Sequence, residues 1–578
     1  MDLVTVEVLQ KLLLAAAEEM GITLIRAAYS PNIKERRDAS CAVFDAEGRV
    51  IAQAAHIPMH LSSMVDLPRV LAAAYPPRSW RPGDMFVAND PYTSAGSHLN
   101  DIAIIAPVFA GRTLIGFVAN TAHHADVGGR VPGSESGDST SIFQDGLRLP
   151  VARLVTRGRV EDGLFRTILI NSRTPHERVG DLRAQIAANG AGSDRLREIC
   201  ERYGSEVLQR SMADILDATE RRLREGIARM PDGTYEAEGF CDDDGREARP
   251  VRIRVAVRVA GDGVTLDFTG SEAQVPGAKN VPPVSLLATV YYVLKAVIDP
   301  DIPANGGYYR AIEVVAPRGT VLNPSPPAAV AARFTTCQTV ADVVLSAFAQ
   351  VVPERVVAGC HGGTLAIYSG LDPRREEFFV DYEVYAGGSG ARATKDGIDG
   401  IANHTTNTSN LPIEALESEF PIFVERYAFV PDSGGAGRFR GGLAVVREVR
   451  GLHGDLVVGG WGCNHREAPR GLAGGGAGEP GAFEIVDRDG AIRETARSTV
   501  PGLKLRAGQT LRVRTSGGGG TGDPLTRDAA LVLRDVRLGK MSEAHAESAY
   551  GVVIRDGVVD VEGTQRLRSG RRTVDPRW

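Results

Sequence analysis

Apolar and polar residues along the first part of the chain alternate in patterns that predict one long helix followed by two hairpins. Apolar residues recur at helical spacing over residues 4–29. The alternating segments 40–44 and 49–53 flank the turn sequence DAEG and predict the first hairpin. Residues 101–109 and 113–121 flank the turn sequence AGR and predict the second.

Farther along, helical and strand-like segments come in separate runs. The predicted helices cover residues near 61–75, 177–229, 284–298 and 337–351, and the predicted strands cover 250–259, 264–268 and 311–315. After about residue 430 the chain becomes glycine-rich and strand-like. Because regular βαβ alternation is missing from this pattern, we predict a multi-domain α+β fold. The expected domains are residues 1–230, 231–430 and 431–578, the last mainly β.

Composition narrows the class of protein. The chain has 578 residues, of which 43% are hydrophobic and 24% charged, as in ordinary globular proteins. A net charge of -6, from 66 Lys and Arg against 72 Asp and Glu, does not suggest a nucleic-acid partner. The six cysteines are scattered singly, which is typical of a reducing compartment.

The same sequence gives no sign of a membrane or secretion signal. The N-terminal stretch carries acidic residues and lacks the cationic start of a signal peptide. The longest apolar stretch, residues 284–298, is interrupted by Lys295 and is too short to cross a bilayer. We therefore expect a cytoplasmic protein without a membrane partner.

The candidate chemistry is concentrated at the open end of the second hairpin. NDPYTSAGSHLND (89–101) supplies His98 and Asp101, and TAHHAD (121–126) supplies His123, His124 and Asp126. If the turn centres on residue 111, position 98 faces 124 and position 101 faces 121, so these groups meet across neighbouring strands. Imidazole and carboxylate together suit divalent zinc, manganese or iron.

Simpler interpretations stand beside this one. A single histidine in such a loop is more often an ordinary polar residue than a metal ligand. Asp38 could be a further ligand, although an aspartate beside Arg36 and Arg37 is more often part of a surface ion pair.

Other motifs carry weaker signals. His56 and His60 have i,i+4 spacing, but the zincin glutamate is absent and Pro58 disfavours a helix there. The glycine runs 474–476 and 517–520 are not followed by GK[ST] and are expected to form turns. Cys41 falls on a predicted strand and is expected in the core, and His404 could line a pocket or cap a turn.

Several long motifs resemble the hydantoinase B/oxoprolinase family. They are HIPMHLSSM (56–64), NDPYTSAGSHLNDIAIIAPVF (89–109), GFVANTAHHADVGG (116–129), IFQDGLRLP (142–150), NGGYYRAIEVVAPRGTVLNP (305–324), the segment 396–442, GGGGTGDP (517–524) and AYGVVI (549–554). The resemblance covers nearly the whole chain and includes ERRDAS (35–40), which matches the family's E-R-x-D-x-S pattern.

The resemblance implies a B subunit of an ATP-dependent enzyme that opens a small cyclic amide such as a hydantoin or 5-oxoproline. A hydantoinase A-like partner would use ATP and Mg to phosphorylate the substrate oxygen, in a heterotetramer or larger assembly. The family's metal ligands fall on Asp38, His98, Asp101 and His123. His124 and Asp126 would orient these ligands, and either could be the catalytic general base.

Three other functions are compatible with the same motifs. The first is a subunit of an ATP-dependent ketone carboxylase of the acetone or acetophenone carboxylase type. The second is a scaffold that only stabilises the ATP-binding subunit. The third is a metallohydrolase that acts alone, without ATP.

Overall fold

The computed structural model describes residues 2–55, 57–60, 62–94, 96–496 and 498–571, so His56 lies outside the described residues. Helices and mostly antiparallel sheets occur in separate runs, which confirms the predicted multi-domain α+β class. In the described part of the chain, no helix combines the length and the apolar character that crossing a membrane requires.

A seven-stranded antiparallel sheet forms the N-terminal part and carries both predicted hairpins. Its strand order is β2-β1-β5-β4-β3-β6-β7. The strands are β1 (Ala39–Phe44), β2 (Val50–Ala55), β3 (Met85–Ala88), β4 (Asp101–Ala110), β5 (Thr113–His123), β6 (Ala152–Thr156) and β7 (Arg159–Val160).

The helices of this N-terminal part lie before, between and after these strands along the chain. They are α1 (Leu3–Ala27), α2 (Pro31–Lys34), α3 (Leu67–Ala74), α4 (Asp162–Ile170), α5 (Pro175–Tyr203) and α6 (Ser205–Ile227). The Asp2 side chain caps α1 by accepting the backbone N–H groups of Val4 and Thr5. The stretch predicted as one helix over 177–229 is two helices, because Gly204 adopts a φ of 84° that interrupts it.

Helices α1 and α5 pack together and against the sheet. Both contact strands of the seven-stranded sheet, and their apolar faces share one core with it. A Cβ atom at Gly192 of α5 would lie 2.3 Å from the Met20 Sδ atom of α1, so glycine lets the Met20 side chain pack closely against α5. The two helices therefore pack against β1, β4 and β5, the strands at whose ends Asp38, Asp101 and His123 lie.

The central part is a four-stranded sheet that packs against one buried helix, which in turn packs against a second. The sheet has the order β11-β10-β9-β8, and only β10 and β11 are parallel. The elements are β8 (Gly233–Cys241), β9 (Val251–Ala260), β10 (Gly263–Asp267), α7 (Pro283–Ile298), β11 (Ile312–Val315) and α8 (Arg333–Phe348). Helix α8 begins before the predicted residue 337 and therefore includes Arg333.

Two further sheets form the C-terminal part. Their orders are β13-β12-β16-β19 and β14-β15-β20-β17-β18. The strands are β12 (Thr364–Asp372), β13 (Glu377–Tyr385), β14 (Ile422–Phe429), β15 (Val445–Gly451), β16 (Leu456–Gly462), β17 (Ala482–Val486), β18 (Ile492–Ala496), β19 (Thr499–Leu505) and β20 (Thr510–Arg514), and the short helix α9 (Ile413–Glu419) precedes β14. Each sheet combines strands from both sides of residue 430, so that position is not a sheet boundary.

The glycine runs 474–476 and 517–520 combine a turn with close chain packing. The expected turn is present at the first run, where Gly474 adopts a φ of 86° and the Gly475 N–H donates to the Leu472 carbonyl oxygen at 2.8 Å. The two runs also pack backbone against backbone: a Cβ atom at Gly475 would lie 2.2 Å from the carbonyl oxygen of Gly520.

After the last long strand, the described residues form three α-helices and a small hairpin. They are α10 (Ala529–Arg537), α11 (Glu543–Tyr550), β21 (Ile554–Arg555), β22 (Val558–Val559) and α12 (Val561–Gly570).

Candidate metal centre

The second hairpin brings Asp101 and His123 directly opposite each other at its open end. The expected partner of Asp101 was Thr121, which instead pairs with Ala103. The prediction was wrong by two residues because the turn has only two residues, Gly111 and Arg112, and an irregularity near Val108 shifts the register once more. The shift makes the two groups closer than the sequence predicted.

His98, Asp101 and His123 form the compact part of the centre. Each offers one nitrogen or oxygen atom, and the three atoms lie within 4.8 Å of one another. All three residues are buried, and the two imidazole rings are 5.0 Å apart between centroids. His98 comes from the loop before β4, whose tight path requires Gly96: a Cβ atom there would lie 2.1 Å from the carbonyl oxygen of Asn89.

Three polar atoms of this group lack hydrogen-bond partners. His98 Nε2 lies 3.1 Å from Asp101 Oδ1, and His98 Nδ1 lies 2.9 Å from Glu135 Oε1. Neither contact has the geometry of a hydrogen bond, so both His98 nitrogens and Asp101 Oδ1 are buried without one. Buried unpartnered donors of this kind fit a bound cation. Their mixed nitrogen and oxygen character fits zinc, manganese or iron.

Glu135 is a member of the centre that sequence reasoning missed. Its Oε1 atom is also 3.4 Å from His123 Nε2, and its Oε2 atom accepts a 2.6 Å hydrogen bond from the Tyr382 hydroxyl. Glu135 lies in the loop after Asp126, in the sequence GSESGD, where no spacing or pattern marks it. The carboxylate joins both imidazoles to a residue of β13.

His60 and Asp38 lie on the other side of Asp101. His60 Nε2 is 3.8 Å from Asp101 Oδ2 and 3.9 Å from Asp38 Oδ1, and its Nδ1 atom is 3.1 Å from the Ser40 hydroxyl. His56, the other histidine of the i,i+4 pair, lies outside the described residues, and His60 ends a 3-10 helix, Pro58–His60. The same residue was discounted by sequence reasoning as a site residue, and only the tertiary fold brings it here.

The site is a small buried cavity of about 40 Å³. A single water molecule needs about 10–15 Å³, so the cavity has room for an ion with its water but not for a ring-shaped substrate. The cavity is lined by Asp38, Ile57, Met59, His60, His98, Asp101, His123, Glu135, Arg333, Phe334, Tyr382, Val384, Thr405, Thr406, Thr408 and Trp461. Among these described residues Arg333 is the one arginine or lysine, and it donates to Asp101 Oδ2 at 3.2 Å and to Ser97 at 2.9 Å.

The ionisable side chains of the centre shift one another's pKa values. Burial and Arg333 oppose protonation of His98, but Asp101 and Glu135 outweigh them and raise its pKa. Burial likewise opposes ionisation of Asp101, yet His98 and His60 hold its pKa well below the ordinary value. Burial is overcome at Glu135 too, where His98 and His123 lower the pKa to about 2. Two buried carboxylates are therefore ionised at neutral pH and can compensate a bound cation.

Asn32 contacts the ring of His123 on the side opposite Glu135. Its side-chain amide donates to His123 Nδ1 at 2.9 Å and to the His123 carbonyl oxygen at 2.7 Å. Since Asn32 belongs to α2, the helix fixes the orientation of this ring, and Nε2 is left facing Glu135.

The structure does not bring His124 to the cavity. Its Nε2 atom is 3.0 Å from Gln185 Oε1 on α5, away from the lining residues. Burial and the nearby Arg178 guanidinium lower the pKa of His124 to about 4, so the ring is neutral at pH 7. His124 directly follows the last residue of β5, and adjacent residues of an extended chain point to opposite sides, which separates His124 from His123.

Asp126 is also placed outside the cavity. Its two oxygens accept the backbone N–H groups of Gly128, Gly133 and Arg173 and a 2.9 Å bond from the Arg173 guanidinium. These four hydrogen bonds occupy the carboxylate fully, so the expectation of a general base at Asp126 or His124 has no geometric support. Asp126 instead fixes the loop that leads to Glu135.

The fold and this centre together define an α+β enzyme whose buried donors suit a divalent metal. The sequence model of the Hydantoinase B/oxoprolinase family matches residues 2–524. The chain belongs to the hydantoinase B/oxoprolinase family, as its motifs predicted.

Three similar proteins illustrate the relationship. The putative B subunit of a D-/L-hydantoinase from Pseudomonas sp. is 34% identical, and the match covers 98% of each chain. The crystal structure of the ATP-dependent caprolactamase from Pseudomonas jessenii has a TM-score of 0.90 and 30% identity, covering 98% of this chain and 100% of that one. A nucleotide-free acetone carboxylase structure also has a TM-score of 0.90, covering 98% of this chain and 83% of that one, but at 21% identity this shows only the shared fold.

Proposed function

We propose that this chain is the metal-dependent subunit of an ATP-dependent cyclic-amide hydrolase. It would act on a hydantoin, 5-oxoproline or related lactam whose carbonyl oxygen a hydantoinase A-like partner has phosphorylated with ATP and Mg. The observation that carries the proposal is the buried group of His98, Asp101 and His123 beside Glu135. The similarity to a hydantoinase B subunit supports the partner, and the similarity to the ATP-dependent caprolactamase supports the use of ATP.

The proposed ligands are His98, Asp101 and His123, with Asp38 completing the set that the family resemblance implies. A divalent zinc, manganese or iron ion bound there would supply Lewis acidity and lower the pKa of a water molecule toward neutrality. Glu135 would orient His98 and His123, because it lies against both rings while the Tyr382 hydroxyl holds it in place.

His60 is the residue that we propose to accept a proton, in place of His124 or Asp126. Its Nε2 atom faces the cavity between Asp38 and Asp101, and Ser40 fixes the opposite ring nitrogen. A histidine so placed can take the proton from an attacking water and return it to the leaving ring nitrogen.

Arg333 is suited to hold the phosphorylated oxygen of the substrate. One of its terminal nitrogens is used by Asp101 and Ser97, whereas its Nε–H group is buried without a hydrogen-bond partner. A free guanidinium donor beside the cavity can bind a phosphoryl oxygen as it leaves. The small cavity also implies that substrate enters only when part of its wall moves, since ligand pockets usually measure about 300–1,000 Å³.

The test combines metal analysis with a product assay. Purified wild type and the double variant His98→Ala/His123→Ala are compared by elemental analysis, with the exposed His453→Ala as the matched control. We expect the double variant alone to lose about one equivalent of a divalent ion. Equal metal content in all three proteins would overturn the proposed ligands.

The product assay uses the co-expressed A-type partner, ATP and a cyclic amide. A ring-opened acid formed only with ATP and both subunits supports the hydrolase. A carboxylated ketone as product would identify the carboxylase alternative. Ring opening without ATP would identify an autonomous hydrolase. Full activity of the complex with metal-free protein would show that this chain is only a scaffold for the ATP-binding subunit. The heterotetrameric or larger assembly and the cytoplasmic location stay predictions.

A further inference from the structure

A second group of metal-ligating side chains lies outside the centre described above. Asp342 is on α8, Cys360 is in the segment between α8 and β12, and His404 is in the loop after β13. One atom of each residue, a carboxylate oxygen, the Sγ atom and a ring nitrogen, lies within 4.8 Å of the other two. Three segments distant in sequence therefore converge on one point.

The contacts within this group orient all three donors. His404 Nε2 lies 2.8 Å from Asp342 Oδ1, and the backbone N–H of Cys360 donates to the same oxygen at 3.3 Å. The Gly390 N–H donates to Cys360 Sγ at 3.2 Å. Cysteine binds metals in its thiolate form.

We propose that Asp342, Cys360 and His404 form a second, zinc-class metal site, distinct from the His98 centre. Thiolate, imidazole and carboxylate are all zinc ligands, and a sulfur donor favours zinc over manganese or magnesium. The charges balance as well, because one thiolate and one carboxylate neutralise a divalent ion while the imidazole binds in its neutral form. Binding releases the thiol proton and any imidazole proton to solvent.

The surroundings provide a path for the ion. Cys360 and His404 are buried, whereas the Asp342 side chain is 24% exposed and lines a surface cavity of about 70 Å³ beside Gly359 and Asn464. Of the three proposed ligands, Asp342 is therefore the one at which an ion would enter from solvent.

The site would connect α8 to a wall of the first cavity. Three residues that follow His404 in its loop, Thr405, Thr406 and Thr408, line the His98 centre, and α8 also carries Arg333. The Gln338 side chain of α8 donates to the Asn403 carbonyl oxygen at 3.2 Å, next to His404. An ion held between Asp342 and His404 would fix this wall, which is a structural role that does not depend on the proposed reaction.

A nucleophilic Cys-His-Asp arrangement is the competing interpretation. It is disfavoured because Cys360 is only 2% exposed and its sulfur already contacts Gly390 N–H and the Ala358 carbonyl oxygen. A substrate carbonyl has no approach to such a sulfur in this arrangement. The two interpretations differ in a spectroscopic property that the first centre cannot imitate, because it contains no cysteine.

The experiment is cobalt substitution of the full chain. Protein freed of metal with a chelator is titrated with Co²⁺, and the near-ultraviolet thiolate-to-cobalt charge-transfer band is recorded. We expect the band to appear in wild type and in His98→Ala/His123→Ala, since neither change touches the second site. It should disappear in Cys360→Ser and persist in Cys200→Ser, which alters another buried cysteine on α5.

Zinc content gives a second measurement. Cys360→Ser and His404→Gln should each lower zinc content by about one equivalent relative to wild type and Cys200→Ser. Folded wild-type protein that binds Co²⁺ without a charge-transfer band would overturn the proposal, and this test needs no variant. Specific alkylation of Cys360 in metal-loaded protein would also overturn it and favour the nucleophilic interpretation.

Discussion

Glu135 Oε1 lies 2.9 Å from His98 Nδ1, on the side of the imidazole away from Asp101. The contact links a loop that no motif marks to a histidine in the most distinctive motif of the chain. It places one carboxylate behind the ring while another faces its Nε2 atom. A ligand imidazole is commonly oriented by such a partner.

Glu135→Gln should therefore weaken metal binding without removing a ligand. The neutral amide keeps the shape of the side chain but loses the charge that orients His98 and His123. We expect divalent metal affinity to fall about 10–100-fold, measured by competition with a chelator of known affinity. Glu354→Gln, on the exposed surface, is the matched control. Unchanged affinity in Glu135→Gln would show that this carboxylate does not support the ligands.

His124→Gln should change acid stability rather than catalysis. The folded pKa of His124 is about 4, below the ordinary value of 6.5, so the unfolded chain binds the proton more readily. The neutral His124 ring therefore makes its full contribution to stability above pH 6.5, and this contribution is lost as pH falls toward 4. The loss is on the order of 3 kcal/mol at the acid end, since each pKa unit is worth about 1.4 kcal/mol.

The measurement is urea denaturation followed by tryptophan fluorescence at about pH 7 and about pH 5, on either side of the ordinary histidine pKa. The midpoint of wild type should drop more between these values than the midpoint of His124→Gln. In the assay with the A-type partner, the variant should keep its metal and its pH–rate profile. Loss of the profile's acidic limb with metal retained would instead restore His124 as the general base.

Arg333→Lys should uncouple the two subunits' reactions. Lysine keeps the positive charge but lacks the separate guanidinium nitrogens, one of which serves Asp101 and Ser97 while another can bind a phosphoryl oxygen. We expect ring opening to fall by about 100-fold while ATP hydrolysis by the partner continues. One assay measures the products of ring opening and of ATP hydrolysis together. Arg355→Lys, on the surface, is the control. Equal losses of both products would argue against a role for Arg333 in this step.

Gly96→Ala should disturb the centre through the backbone alone. The new Cβ atom would lie 2.1 Å from the Asn89 carbonyl oxygen, so the loop that carries His98 must move. We expect a loss of stability of about 1–3 kcal/mol together with weaker metal binding. Gly163→Ala is the control, because a Cβ atom there meets nothing within 4 Å. Thermal melting with and without added Zn²⁺ measures both effects, and a melting temperature and Zn²⁺ response like those of Gly163→Ala would refute the prediction.

The parts of the site that were predictable lie close together along the chain. One hairpin determines that the His98 loop and the end of β5 meet, because strand pairing follows from local alternation and a short turn. The exact partner of Asp101 was not predictable from that pattern, since the irregularity near Val108 depends on how β5 twists against its neighbours. The family motifs likewise predicted the class of enzyme from the sequence alone.

Tertiary structure decided which other groups share the cavity. Tyr382 reaches Glu135 across 247 positions, and Arg333 reaches Asp101 across 232. His60 stood in a motif that lacks the zincin glutamate, and Glu135 stood in no motif, yet both line the same cavity. The sequence by itself determined the α+β class, the family and the meeting of the His98 loop with the end of β5, because periodicity and motifs are local properties. Contacts between remote segments decided the rest, because burial and charge pairing are set only when the sheets and helices pack.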